Sequence, residues 1–188
     1  GDSVLLIRSG DVIPKITKSL AELRDGSEIT INRPTLCPTC DSLLLDEGAL
    51  IKCQNLNCPD RILNSLIHFC SKKALNIEGL GEKIVALLYE QQYIKDVRDI
   101  FSLTKESLLK LEGFKEKKAQ NIIDSIEGAK NCDCHRFIYA LGIEHIGEGA
   151  SRELCSAFGL DFLGRSYEEY ISIDGFGEEM AKSLLDFS

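Results

Sequence analysis

No apolar run in these 188 residues approaches the ~18 to 20 needed to cross a bilayer. The N-terminal stretch "GDSVLLIRSGDVIP" also lacks the basic start, apolar core and small-residue cleavage site of a secretory leader. An excess of positive charge is missing too: the formal net charge is −8. That excludes the ordinary polyanion binder, which masses lysines and arginines on one face. The acidity is uneven, since residues 1–75 are neutral, 76–135 carry −2 and 136–188 carry −6. A site for a polyanion is therefore expected in the first three quarters, and it must lean on backbone N–H groups more than on lysines. An apolar content of 44% and a charged content of 28% are those of a globular protein. The chain opens in mid-strand without an initiator Met and reads as a piece of something longer.

Eight cysteines are present. Their clustering argues against a disulfide framework, because four stand at metal-ligand spacing in "CPTC" and "CQNLNC". Without a leader the expected compartment is a reducing cytoplasm. Cys37-x2-Cys40 and Cys53-x4-Cys58 are each short enough to clamp one ion from a turn, and thiolates in fours favour tetrahedral zinc. Four sulfurs leave no open coordination position, so the predicted zinc is structural. The intervening "LLLDEGALIK" predicts a small hairpin turning at Glu47-Gly48. Cys132, Cys134 and His135 in "CDCH" lack a fourth partner and read as ordinary thiols with a surface histidine. Cys70 and Cys155 fall on apolar helix faces and read as core.

Residues 1–32 read as β structure from "SVLLIR" and "EITIN", with turns at "SGD" and "RDG" and with Pro14 at a strand edge or end. Residues 33–60 are rich in loops. From Asp60 the pattern turns helical: Ile62, Leu63, Leu66, Ile67, Phe69 and Cys70 recur at helix spacing, and short amphipathic helices follow to the end. The predicted class is mainly α with a small β part.

That helical part repeats itself. Ile77-Glu-Gly-Leu-Gly81, Leu111-Glu-Gly-Phe-Lys115, Ile143-Glu-His-Ile-Gly147 and Ile173-Asp-Gly-Phe-Gly177 each precede a helix: "EKIVALLYEQ", "EKKAQNIIDSIEGAK", "EGASRELCSAF" and "EEMAKSLLDF". The first N–H groups of a helix have no partner within it. A tight turn without side chains lets those donors lie against a phosphate, aided by the helix dipole. Such a device reads a nucleic-acid backbone, not its bases. The apolar residue between the two small ones is expected to point inward. The bland reading is a set of helix–helix turns with glycine caps. The candidate contacts are Gly79, Gly81 and Lys83; Gly113, Lys115, Lys117 and Lys118; Gly147 and Gly149; and Gly175 and Gly177. Lys115 replaces a glycine in the second phrase, and His145 does so in the third, which weakens close approach there. The fourth has acidic surroundings. The expected order is second and first, then third, then fourth.

Phrases of this form resemble the helix–hairpin–helix motif of DNA repair and replication proteins. Four of them, after a four-cysteine module and "RSGDVIP" at Arg8–Pro14, resemble the C-terminal portion of the bacterial NAD-dependent DNA ligases. "FIYALGI" at 137–143 adds to the likeness. The resemblance implies the end of an OB β-barrel at 1–32, a zinc finger at 33–60 and a four-hairpin domain at 61–188. It implies sequence-independent binding of nicked duplex DNA, with the zinc module as a joint, and Arg8 as a further DNA contact. NAD and Mg would serve the parent enzyme in upstream domains, with a BRCT domain downstream. No Lys-x-Asp-Gly occurs, the nearest strings being "LRDG" and "SIDG", so the adenylated lysine is not in this segment and the segment alone is expected to be inactive. Two other readings remain open: a junction-recognition or excision-repair subunit with tandem hairpins, and an acidic protein-interaction scaffold.

Overall fold

The computed structural model describes residues 1–10 and 13–188, so Asp11 and Val12 of the "RSGDVIP" phrase lie outside the described residues. The chain divides into two units, Gly1–Gln54 and Asn55–Ser188.

In the first unit, β1 (Val4–Ser9) pairs antiparallel with β2 (Ile13–Ser19). Pro14, opposite Arg8, sits in a two-stranded ribbon where its missing N–H costs no ladder bond to a third strand. A second hairpin joins β3 (Leu44–Asp46) to β4 (Ile51–Cys53) around the predicted Glu47-Gly48 turn. There the Asp46 carboxylate accepts from the Gly48 N–H at 2.9 Å, and Gly48 takes a left-handed φ of +80°. "EITIN" differs from its expected strand: residues 28–32 are irregular, and Ile29 and Ile31 are 86% and 91% exposed. β-branched composition favours extended backbone, but a strand forms only where a neighbour accepts its hydrogen bonds.

The second unit is helical, in nine pieces among the described residues: α1 (Pro59–Cys70), α2 (Glu82–Glu90), α3 (Val97–Ile100), α4 (Lys105–Leu109), α5 (Glu116–Ala129), α6 (Cys134–Ala140), α7 (Glu148–Phe158), α8 (Tyr167–Ile171) and α9 (Glu178–Phe187). The helices pack as consecutive pairs, α1 on α2, α4 on α5, α6 on α7 and α8 on α9. One repeated phrase lies between the members of each pair. Two cores result. The first gathers Leu66, Phe69, Leu80, Val85, Leu88, Leu108 and Ile122. The second gathers Ile138, Ile146, Leu154, Phe162, Tyr170 and Leu184. Between them, Arg136 on α6 donates to the Lys72 and Ala74 carbonyls at 2.6 and 2.7 Å, and His68 Nε2 lies 2.8 Å from the Tyr139 carbonyl. The Tyr170 hydroxyl, fully buried, donates to the Phe162 carbonyl at 2.7 Å.

The expected inward residues are inward. Leu80, Phe114 and Ile146 are buried, and Phe176 is half-buried against the second core. In each phrase their N–H donates to the carbonyl three residues back: Leu80 to Ile77, Phe114 to Leu111, Ile146 to Ile143 and Phe176 to Ile173, at 3.1 to 3.2 Å. The third residue of each turn is left-handed, with φ of +88° at Gly79, +77° at Gly113, +63° at His145 and +78° at Gly175.

The first turn is also the tightest. A Cβ at Gly79 would stand 2.6 Å from Ile122 Cγ1, whereas one at Gly113 would meet nothing within 4 Å. Gly79→Ala therefore adds a clash in the core to backbone strain, and Gly113→Ala adds strain alone. The expected losses are about 3 kcal/mol and about 1 kcal/mol, to be measured by denaturant unfolding; equal losses would refute the clash.

Candidate metal centre and nucleic-acid interface

Cys37, Cys40, Cys53 and Cys58 each offer a sulfur, and the four Sγ atoms lie within 4.8 Å of one another. The first pair is held by a turn in which the Cys37 N–H donates to the Ser42 carbonyl at 2.8 Å and the Asp41 N–H to the Cys37 carbonyl at 2.9 Å. Asp41 is left-handed there, with φ +56°. Cys53 ends β4. Cys58 is set by its own N–H, which donates to the Asn55 carbonyl at 3.0 Å, while the Asn55 side chain accepts from the Asn57 N–H at 2.9 Å. It stands as N-cap of α1 with Pro59 in the first helical position, where proline's fixed φ suits a helix start. The sulfurs of Cys40 and Cys53 are 3.6 Å apart. A disulfide needs about 2.05 Å; a tetrahedron with metal–sulfur bonds of about 2.3 Å has an edge of about 3.8 Å. The donor set thus fits one metal ion with all four positions filled by protein. No other His/Cys/Asp/Glu group of that kind occurs among the described residues.

The remaining thiols lie elsewhere. Burial pushes Cys70 up to about 12. Cys134 also rises to about 12, by desolvation first and then by a hydrogen bond with Cys155. Both Cys134 and Cys155 pack, half-buried, against the second core.

The helix starts behind the four turns share one construction. Gly81, Lys115, Gly147 and Gly177 are the N-caps of α2, α5, α7 and α9, all extended, and none offers a side-chain acceptor to the helix. Three short helices are treated differently. Asp96, Thr104 and Ser166 accept from N–H groups of α3, α4 and α8 in reciprocal capping boxes. The starts of α1 and α6, at Cys58 and Asp133, have no side-chain cap either. Side-chain caps are thus confined to the three shortest helices, and withheld at every helix that leaves a repeated turn. At Gly81, Gly147 and Gly177 the φ values are ordinary and a Cβ would meet nothing within 4 Å. Neither backbone torsion nor packing therefore demands glycine at these three positions. Their small size leaves open space beside each of these helix starts.

Sequence-predicted contacts come together at the first two turns. Gly79, Gly113, Lys115, Lys117 and Lys118 line one open cleft of about 760 Å³, with Glu78 and Asn121 at its wall. The Glu78 N–H donates to the Ser125 hydroxyl on α5 at 2.7 Å, which ties the first turn to the helix of the second. Ser125 stands 47 positions from Glu78, and nothing in the sequence marks it. Lys118 Nζ sits 3.7 Å above the Phe114 ring. Lys83, Gly147, Gly149, Gly175 and Gly177 are exposed on their own turns or first helical turns. Arg8, on β1, belongs to the other unit.

Each of the four helices begins with a glutamate, which opposes an incoming anion. Three of these are paired: Glu116 with Lys105 at 2.6 Å, Glu148 with Arg152 at 2.6 Å and Glu178 with Lys182 at 2.6 Å. The fourth turn adds Glu179 and Asp174, so its surroundings stay negative.

Two known families match the helical unit. The family described as SAM-like helix-hairpin-helix tandem matches residues 71–127, and the helix-hairpin-helix motif family matches residues 136–188. These spans fall largely on the first and second cores. Among curated proteins, the chain is similar to proteins named DNA ligase from Wolinella succinogenes (65% identical over 187 residues), Sulfurovum (59% over 187) and Campylobacter jejuni (57% over 187). In each case 100% of this chain is covered, and it spans 29% of the relative.

Cys53→Ser removes one of four thiolates, and the protein is expected to lose its metal. A colorimetric zinc assay checks this, with protease susceptibility of residues 33–58 rising alongside. Chelation should open Cys37, Cys40, Cys53 and Cys58 to iodoacetamide at neutral pH while buried Cys70 stays unlabelled. Unchanged zinc content in the Cys53 variant would remove the coordination claim.

Proposed function

We propose that this chain, related along its whole length to a segment of bacterial DNA ligases, is the part of such an enzyme that grips duplex DNA around a nick. The observation that carries the reading is the set of uncapped helix starts at Gly81, Lys115, Gly147 and Gly177, three of them with glycines that the fold does not require. Amide N–H groups at a helix start, with the dipole behind them, suit phosphate oxygens. They serve any sequence equally, as sealing a nick at an arbitrary site demands.

The first and second turns are the principal grip. They share a cleft, and Lys115, Lys117 and Lys118 supply the positive charge that the chain otherwise lacks. Lys83 adds to the first turn. The third follows through Gly147 and Gly149, and the fourth, with Glu178 and Glu179, contributes least. Arg8 contacts DNA from the β unit, which we read as the end of an OB barrel. The four cysteines hold one zinc ion, which stabilises the fold of a segment too short to have a core of its own. The adenylation chemistry, with its NAD, Mg and nucleophilic lysine, belongs to upstream domains, and a BRCT domain follows downstream. The compartment is the bacterial cytoplasm.

The glycine that the fold can spare gives the sharpest test. Gly81→Val is expected to cost at most about 1 kcal/mol of stability, the loss of a favoured N-cap residue, while weakening binding to a nicked duplex about tenfold, the effect of losing one charge-assisted hydrogen bond. Gly177→Val should change binding less. Lys115→Glu should both weaken binding and flatten its dependence on salt, because fewer counterions are released. Wild-type affinity in both Gly81→Val and Lys115→Glu would defeat the reading.

A further inference from the structure

The helical unit consists of two halves joined over a narrow contact. Helices α1 to α5 enclose the first core, and α6 to α9 enclose the second. From beyond α5, only Cys132, Tyr139 and Ala140 reach the first core among the described residues. The halves meet where α6 lies against α1. Beside that contact the surface is open. A cleft of about 1060 Å³ runs between α1 and the end of α9, and one of about 360 Å³ lies at Arg136. So small a shared apolar surface does not by itself fix an angle between two bodies, because apolar contact has no direction.

Hydrogen bonds supply the direction. After α1 the chain closes a turn on itself. The Ala74 and Asn76 N–H groups donate to the Ser71 carbonyl at 3.1 and 2.8 Å, and those of Leu75 and Ile77 donate to the Phe69 and Cys70 carbonyls. These bonds leave the Lys72 and Ala74 carbonyls to Arg136, whose Nη2 and Nε donate to them at 2.6 and 2.7 Å. A guanidinium is a planar fork, so two simultaneous bonds fix its plane as well as its position. The turn it holds leads into the first repeated phrase at Ile77, and Arg136 itself lies on α6, the helix before the third phrase. His68 supports the same joint from α1. Its Nε2 meets the Tyr139 carbonyl at 2.8 Å, and a Cβ at Gly142 would stand 3.4 Å from its Cδ2.

We propose that Arg136 is a positioning residue for the DNA grip: it sets the angle between the two halves, so that the first two turns and the last two reach one duplex together. This rests on the phosphate reading above. Two weak grips held at a fixed angle act as one strong grip, because the second engages at high effective concentration. Arg136 acts through the α1–α6 joint and not by touching DNA.

The test uses the full chain with its metal, and reads backbone residual dipolar couplings alongside binding to a nicked duplex of mixed sequence. In the wild-type protein one alignment tensor is expected to fit residues 59–129 and 134–187 together. In Arg136→Gln each half should still fit by itself while the common tensor fails, and binding should weaken about tenfold. Arg136→Lys keeps the charge without the fork. It should behave in the same way, with the salt dependence of binding unchanged, whereas a direct phosphate contact would survive the change to lysine. Should Arg136→Gln unfold a half, Arg136→Lys decides. A common tensor in Arg136→Lys overturns the proposal, and so does wild-type affinity in a variant whose halves no longer share one. Lys115→Glu and Gly81→Val run alongside. If they weaken binding while the Arg136 variants bind like wild type, the DNA site stands without this joint. If they too bind like wild type, the phosphate reading falls and this inference with it.

Discussion

Everything in the helical unit depends on burying one apolar side chain in the middle of each repeated turn. Leu80, Phe114, Ile146 and Phe176 are driven inward by the hydrophobic effect. Each can get there only if the residue before it swings through the left-handed region. That single constraint reverses the chain between paired helices and fixes where the second helix begins. Because the residue after the buried one is then extended and exposed, the first amides of α2, α5, α7 and α9 emerge at the surface by construction. Uncapped amides at the surface are a by-product of the same burial that makes the core.

The two small residues of each phrase consequently do different jobs, which the sequence does not separate. Gly79 is a requirement of the fold, through both its φ and its contact with Ile122. Gly81 is not: its φ is ordinary and the space beside it is empty. A pattern of apolar–acid–Gly–apolar–Gly treats them alike. The difference is visible only once torsions and neighbours are known. His145 makes the same point from the other side. Read as a string, it breaks the motif; in three dimensions the turn is unchanged and only its side chain is new.

Much else was legible from periodicity and composition. The helices after the third and fourth phrases run over the residues marked out for them, Glu148–Phe158 and Glu178–Phe187. They do so because each has an apolar stripe and a small residue in front of it. The hairpin between the cysteine pairs announced itself through Glu47-Gly48. "EITIN" misled, because β-propensity describes what a segment prefers once a partner strand is given, and composition does not supply the partner. Ser125 was invisible for a related reason, since its bond to the Glu78 amide joins two phrases that are far apart in the chain.

The proposed grip on a polyanion poses a charge problem for an acidic protein, and the arrangement of glutamates bears on it. A glutamate at the first helical position steadies the helix through its dipole, so Glu82, Glu116, Glu148 and Glu178 serve the fold while opposing the proposed ligand. Lys105, Arg152 and Lys182 each lie 2.6 Å from one of these carboxylates. Exposed ion pairs of this sort add little stability, about 0 to 1 kcal/mol each. Their consequence is local neutrality at a surface where the backbone presents uncapped amides. Helix-stabilising acids and the proposed phosphate donors can then share one turn, and the additional lysines gather at only one of the four, around Lys115.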